Sequence, residues 1–103
     1  MPIQFSQDVI ENSTKPIIIM AFASWCPHCA RMEPIYDDLA GQLDNIYTFS
    51  KFDIDKSPEL TAQFKVQSLP TFIFIENKKE VNRAQGEMSR DDLEQLIEDS
   101  FTV

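Results

Sequence analysis

Residues 16–29 read PIIIMAFASWCPHC, and this stretch of the 103-residue chain decides the fold. Its first part, residues 16–24, shows no alternation of apolar and polar side chains, which is typical of a strand buried on both faces. Its second part holds both cysteines of the chain, in the window Cys26-Pro27-His28-Cys29. A helical spacing of apolar residues follows directly, so the cysteines are expected where a buried strand passes into a helix.

Strand patterns alternate with helix patterns on both sides of this stretch. The sequence predicts strands at residues 3–6, 16–24, 46–54, 71–75 and 80–85, and helices at 6–12 and 26–43, from 57 and from 89. Residues 77–79 join the last two strands as a hairpin. Pro34 lies inside the long helix and is expected to bend it. This order predicts a single α/β domain over residues 1–103, a three-layer α/β/α sandwich around a central mixed β-sheet.

The composition excludes several classes of protein. Nine Lys and Arg against seventeen Asp and Glu give a net charge of −8, which argues against nucleic acid and anionic membranes as partners. Two cysteines, one histidine and two glycines cannot form a disulfide scaffold, a closed Cys/His zinc site or a phosphate-binding glycine loop. The longest apolar run, residues 17–23, is too short to span a bilayer. We therefore expect a cytoplasmic protein with no metal and no bound cofactor.

The spacing of the two cysteines indicates redox chemistry. Side chains three residues apart on a first helical turn bring their sulfurs within bonding reach. The helix N-terminus favours a thiolate at Cys26, which would make Cys26 the nucleophile and Cys29 the resolving thiol. Pro27 suits the first helical turn, where no N–H partner is needed. A protonated His28 would stabilise the thiolate further and shift the couple towards a more oxidising potential.

Two other interpretations of the cysteine pair are weaker. A structural disulfide closing so small a loop would restrict the unfolded chain little. A metal site would need His28 and a carboxylate beside the two sulfurs, but adjacent helical residues such as His28 and Cys29 point apart. Redox chemistry is therefore the favoured interpretation, with an inert pair and a metal site as the alternatives.

The chain resembles the thioredoxin family along nearly its whole length. Trp25-Cys26-Pro27-His28-Cys29 is similar to the family's active-site motif, and Pro34 to the proline of its active-site helix. Ser68-Leu69-Pro70-Thr71 resembles the family's cis-proline loop, and Lys51 lies where the family has a buried lysine in a central strand. Gly86 resembles a glycine at the edge of the substrate groove.

This resemblance implies the thioredoxin fold and a protein-disulfide oxidoreductase that works as an electron carrier in redox homeostasis. Cys26 would attack a disulfide of a protein substrate and Cys29 would resolve the mixed disulfide, so the Cys26–Cys29 pair itself replaces a cofactor. The resemblance also implies a monomer, recycled by an external thiol or flavin reductase. The backbone at Leu69 would pair with the substrate. The implied substrate groove is lined by Trp25, Pro27, Ile54, Leu69, Pro70 and Gly86.

Three departures from the family pattern bear on function. The pair between the cysteines is Pro-His, which is found in disulfide-forming members, instead of Gly-Pro. Met20 occupies the position of a buried aspartate that helps to deprotonate the resolving thiol, so resolution by Cys29 is expected to be slow. Lys51 would then lack its partner and be neutral, water-linked or turned to solvent. Gln85-Gly86-Glu87 makes the groove rim polar, which with the acidic balance favours neutral or basic targets; the alternative is a merely solubilising surface.

Three functions remain open at this point. The first is a disulfide reductase. The second is a disulfide-forming or isomerising protein of the same fold, with a more oxidising potential set by Pro27-His28. The third is a binding module that holds partners in the groove without turnover, which the intact cysteine pair disfavours.

Overall fold

The computed structural model describes residues 2–102. In chain order its elements are β1 (Ile3–Gln4), α1 (Gln7–Asn12), β2 (Ile17–Phe22), α2 (Pro27–Leu43), β3 (Thr48–Asp53), α3 (Pro58–Gln63), β4 (Thr71–Glu76), β5 (Lys79–Gln85) and α4 (Arg90–Ser100). The predicted alternation of strands and helices is therefore confirmed.

The strands form one mixed sheet in the order β1-β3-β2-β4-β5. β3 pairs in parallel with both β1 and β2, whereas β4 runs antiparallel to β2 and β5 antiparallel to β4. Parallel strands of one sheet need a crossover connection, and α1 and α2 supply the crossovers from β1 to β2 and from β2 to β3. β2 consequently lies at the centre of the sheet, with the cysteine window at its carboxyl end.

Helices cover both faces of the sheet, which makes the three predicted layers. On one face, Ile18 and Met20 of β2 pack in a buried cluster with Met32 and Tyr36 of α2 and Leu93 of α4. On the other face, a second cluster contains Ile17, Ile19 and Ala21 of β2, flanked by partly buried side chains of α1 and α3. Because β2 is buried on both faces, its sequence shows no alternation, as the pattern of residues 16–24 predicts.

The start of the third predicted strand differs from the structure. Ile46 and Tyr47 are expected in the third strand, but their N–H groups both donate to the carbonyl of Leu43, at 3.0 Å, and so close the end of α2. Tyr47 is buried in the same cluster as α2, which accounts for its apolar ring, whereas Ile46 is 45% exposed. In the hairpin, Asn77 and Lys78 have φ values of 54° and 66°, the left-handed pair that suits a two-residue turn between twisted strands.

Helix α2 continues through Pro34 to Leu43 without a break. Within residues 2–102, no helix has both the length and the apolar character needed to cross a membrane.

A buried hydroxyl connects α2 to the two central parallel strands. The hydroxyl oxygen of Tyr36 lies 2.7 Å from the carbonyl oxygen of Ser50 and 3.0 Å from that of Ile18. The hydroxyl of Ser50 also donates to the Ile18 carbonyl, at 3.0 Å. All three residues are fully buried, so water cannot take the place of any of these hydrogen-bond partners.

We expect Tyr36→Phe to lower the free energy of unfolding by about 1–2 kcal/mol, because it removes a buried hydrogen-bond donor to the Ser50 carbonyl while keeping the ring in place. Urea unfolding measures this change. Tyr47→Phe is the matched control, because Tyr47 is also buried but its hydroxyl has no hydrogen-bond partner within residues 2–102. Equal losses in the two variants would contradict the role of the Tyr36 hydroxyl.

Candidate active site

The cysteine pair lies at the start of α2, as the sequence predicts. Cys26 is the N-cap residue, in an extended conformation, and Pro27 begins the helix. The backbone N–H of Cys29 donates to Sγ of Cys26 at 3.3 Å. A helix start leaves N–H groups without intrahelical partners, and here one of them is aimed at the first sulfur. The local geometry therefore stabilises negative charge on Cys26.

The two thiols differ in their surroundings. Both are free, and Cys26 is 5% exposed against 1% for Cys29. Burial, followed by the interaction with Cys26, raises the pKa of Cys29 to about 12. Cys29 therefore stays protonated near neutral pH. The roles of attacking and resolving sulfur that the sequence assigns to the pair stay predictions.

An open groove adjoins the cysteines. Its volume is about 360 Å³, and its lining includes Cys26, His28 and four residues of the predicted groove: Trp25, Pro27, Ile54 and Leu69. Trp25 is 66% exposed, and its Nε1–H donates to a carboxylate oxygen of Asp55 at 2.8 Å, which fixes the indole at the rim. Val66, Gln67 and Ser68 also line the groove; the sequence analysis did not identify the first two, and named Ser68 only as part of the cis-proline loop.

Two of the predicted groove residues lie beside the groove lining instead. The peptide bond between Leu69 and Pro70 is cis, and the carbonyl of Pro70 accepts a hydrogen bond from the N–H of Gly86 at 2.8 Å. Gly86 has a φ of 91°, which a side chain would strain, so a glycine is needed where the chain leaves β5. Pro70 and Gly86 thus hold the groove edge and the end of β5 together.

The expectation that Lys51 is neutral, water-linked or turned to solvent is wrong. Its Nζ lies 2.7 Å from Oε2 of Glu33 and 3.2 Å from Oδ1 of Asp37, and its side chain is only 20% exposed. Burial by itself lowers the pKa of Lys51, but the hydrogen bonds to the two carboxylates outweigh it and the pKa is raised. Lys51 is therefore a charged residue whose partners come from α2 instead of from strand β2.

Met20 takes the place of the missing carboxylate inside the core. It is fully buried, and in the sheet register it lies opposite Lys51. Glu33 follows Cys29 by one helical turn, and its charge contributes to the raised pKa of Cys29. The acidic groups nearest the resolving thiol are consequently at the surface of α2, and not beneath it.

Three charged or polar side chains, those of His28, Arg31 and Glu87, form a network at the start of α2. Nδ1 of His28 lies 2.8 Å from Oε1 of Glu87, and Nε of Arg31 lies 2.7 Å from Oε2 of the same carboxylate. The hydrogen bonds from Arg31 and His28 lower the pKa of Glu87 to about 2. The sequence analysis identified His28, and named Glu87 only as part of the polar groove rim. The helical spacing of Arg31 from His28 was the available signal for Arg31, whereas Glu87 joins them only through the fold.

No group of three or more His, Cys, Asp or Glu side chains that could hold a metal ion is present within residues 2–102.

The fold and the site together define a class: an α/β/α sandwich of the thioredoxin fold that carries a dithiol at the start of its second helix. A family model described as Thioredoxin matches residues 2–99. The chain belongs to the thioredoxin family.

Individual relatives agree with this assignment. A thioredoxin of Chlamydia trachomatis is 40% identical over 81 residues, which are 79% of this chain and 78% of the relative. The crystal structure of a thioredoxin from Fasciola hepatica superposes with a TM-score of 0.82 at 32% identity, covering 92% of this chain and 89% of that one.

Some relatives are longer than this chain. Chloroplastic thioredoxin Y2 of Arabidopsis thaliana is 33% identical over 96 residues, which are 93% of this chain but 58% of the relative. The chain thus spans little more than half of the length of this relative.

We expect Met20→Asp to shorten the lifetime of the mixed disulfide by roughly tenfold or more, because it restores a buried proton acceptor beneath Cys29. The same substitution is expected to cost about 2–4 kcal/mol of stability, since it places a carboxyl group in the core. Stopped-flow reduction of a model disulfide measures the lifetime. Met20→Leu, which keeps the volume and adds no base, is the control, and equal lifetimes in the two variants would contradict the expectation.

Proposed function

We propose that the protein is a thiol-disulfide oxidoreductase that reduces disulfides of other proteins. The observation that carries the proposal is the contact between the N–H of Cys29 and Sγ of Cys26 at the start of α2. It places the more exposed cysteine where a thiolate is stabilised, while burial keeps the thiol of Cys29 protonated. Membership of the thioredoxin family supports the same activity.

The reaction follows from the different states of the two sulfurs. The Cys26 thiolate attacks one sulfur of the substrate disulfide, a Cys26–substrate bond forms, and the other substrate sulfur leaves as a thiolate that takes a proton from solvent. Cys29 then loses its proton and attacks Sγ of Cys26. The Cys26–Cys29 disulfide forms, and the remaining substrate sulfur is released and protonated. Two electrons and two protons pass to the substrate in total.

The first step prepares the second. In the free dithiol, the neighbouring Cys26 helps to raise the pKa of Cys29 by hydrogen bonding and by charge. In the mixed disulfide, Cys26 carries no charge, so these contributions disappear. Cys29 therefore becomes easier to ionise at the stage when its thiolate is required.

The groove suits an extended peptide segment around the substrate disulfide. Trp25 and Ile54 offer apolar surface next to Cys26. The backbone of Leu69 has no hydrogen-bond partner within residues 2–102, so its N–H and C=O are available to pair with an extended chain. Disulfide-containing proteins are thus the proposed substrates.

Turnover requires an external electron donor, because the dithiol carries only two electrons and ends each cycle as a disulfide. We propose a thiol or flavin reductase for this role. The cytoplasmic location and the monomeric state stay predictions.

Two cysteine variants test the activity. Cys26→Ser is expected to abolish reduction of a protein disulfide, because no attacking thiolate remains. Cys29→Ser is expected to accumulate a covalent complex with the substrate through Cys26, because the resolving thiol is missing. Gel electrophoresis without reductant, together with mass spectrometry, detects the complex. Retention of full activity by Cys26→Ser would contradict the proposal and favour a binding module.

The redox potential distinguishes reduction from disulfide formation. Equilibration with glutathione is expected to give a potential close to that of thioredoxin, about −270 mV. A value near the about −120 mV of a strong disulfide oxidant would support the disulfide-forming alternative that Pro27-His28 suggests.

A further inference from the structure

We propose that Glu87 is a positioning residue that keeps the dithiol reducing, by neutralising the positive charge that Arg31 would otherwise place near Cys26. The proposal rests on the thiol-disulfide activity proposed above. It concerns a residue outside the Cys26–Cys29 window, on the segment between β5 and α4.

One carboxylate of Glu87 holds two side chains of the active-site helix. Oε1 lies 2.8 Å from Nδ1 of His28 and 2.9 Å from Nη2 of Arg31, while Oε2 lies 2.7 Å from Nε of Arg31. The two contacts to Arg31 form the bidentate arrangement that gives guanidinium–carboxylate pairs their geometric specificity. His28 and Arg31 lie one turn apart at the start of α2, directly beyond Cys26.

The contacts also fix which nitrogen of His28 carries a hydrogen. A carboxylate can only accept, so Nδ1 of His28 must donate to Glu87. Nη2 of Arg31, at 3.0 Å from the same Nδ1, then directs its hydrogen to the carboxylate instead. The ring is thereby held against Glu87, and only Nε2 is free to exchange a proton.

The position of Glu87 is itself fixed on both sides. The N–H of Gly86 donates to the carbonyl of Pro70 at 2.8 Å, and the N–H of Met88 donates to Sδ of Met32 at 3.4 Å. The segment is therefore tied to the groove edge and to α2. This distinguishes the network from an ion pair between two freely moving surface side chains, which contributes little.

The charge balance around Cys26 depends on this carboxylate. Arg31 carries one positive charge and Glu87 one negative charge, so the two cancel within this ion pair. The charge of Arg31 interacts with Cys26 as well as with Glu87. Without the carboxylate, one positive charge would act on the Cys26 sulfur uncompensated. A stabilised thiolate favours the reduced dithiol, which makes the couple a better oxidant.

The test replaces Glu87 with its uncharged isostere and measures the potential at pH 7. We expect Glu87→Gln to shift the equilibrium with glutathione roughly three- to tenfold towards the reduced protein, since it exposes one unit charge near a thiolate. Each tenfold change corresponds to about 30 mV. The reaction of Cys26 with iodoacetamide as a function of pH reports the thiolate independently, and is expected to begin at lower pH in the variant.

Two further variants identify the cause. Glu94→Gln is the matched control, because Glu94 also forms an ion pair, with Arg90, at a similar exposure but outside this network. It is expected to leave the potential unchanged. Combining Glu87→Gln with Arg31→Gln removes the uncompensated charge and is expected to return the potential towards that of the wild type.

The outcomes separate this proposal from the proposed function. Equal potentials in Glu87→Gln, Glu94→Gln and the wild type would overturn the role of Glu87, while reduction of protein disulfides by the wild type would stand. A wild-type protein that reduces no disulfide would contradict the proposed function itself.

Discussion

The hydrogen bond from the N–H of Cys29 to Sγ of Cys26 is the contact on which the chemistry of this protein depends. It exists only because α2 begins at Pro27, one residue after the sulfur that it serves. That helix start is in turn fixed by β2, whose residues are buried between two helical layers, so that a shift of the strand would disturb the packing on both faces at once. The packing of a central strand is thus transmitted, over a few residues, to the charge state of a single sulfur.

The effect of the acidic side chains on the site depends on where they lie and not on how many there are. Met20 fills the core position where the family resemblance implies a buried aspartate, and Lys51 has its partners on the outer surface of α2, in Glu33 and Asp37. Glu87 approaches the same helix from the segment before α4. The core beneath the cysteines is therefore apolar, and the charged side chains near them lie at the rim of the site. In such surroundings Cys29 depends on the neutralisation of Cys26, more than on a buried base, to become a nucleophile.

Much of the fold and the centre of the site could be predicted from the sequence, because both rest on short-range patterns. The run at residues 16–24 and the cysteine spacing at the following helix start predict the central strand and the place of the two cysteines at the start of α2. The partners of Lys51 and His28 could not be predicted in this way. Lys51 and Glu33 are 18 residues apart and His28 and Glu87 are 59 residues apart, so only the packing of α2 on the sheet brings each pair together.

The failure of the Lys51 expectation has a physical cause that also bears on the Pro-His motif. A long, flexible side chain that loses one partner is not obliged to give up its charge, because its ammonium group can move several ångströms to another carboxylate. The same reasoning applies to His28, whose effect on Cys26 depends on what holds the ring and not only on its place between the cysteines. In this fold the ring is bound to a carboxylate that is already paired with Arg31. The identity of the two residues between the cysteines therefore sets the redox potential only together with the side chains that the fold places around them.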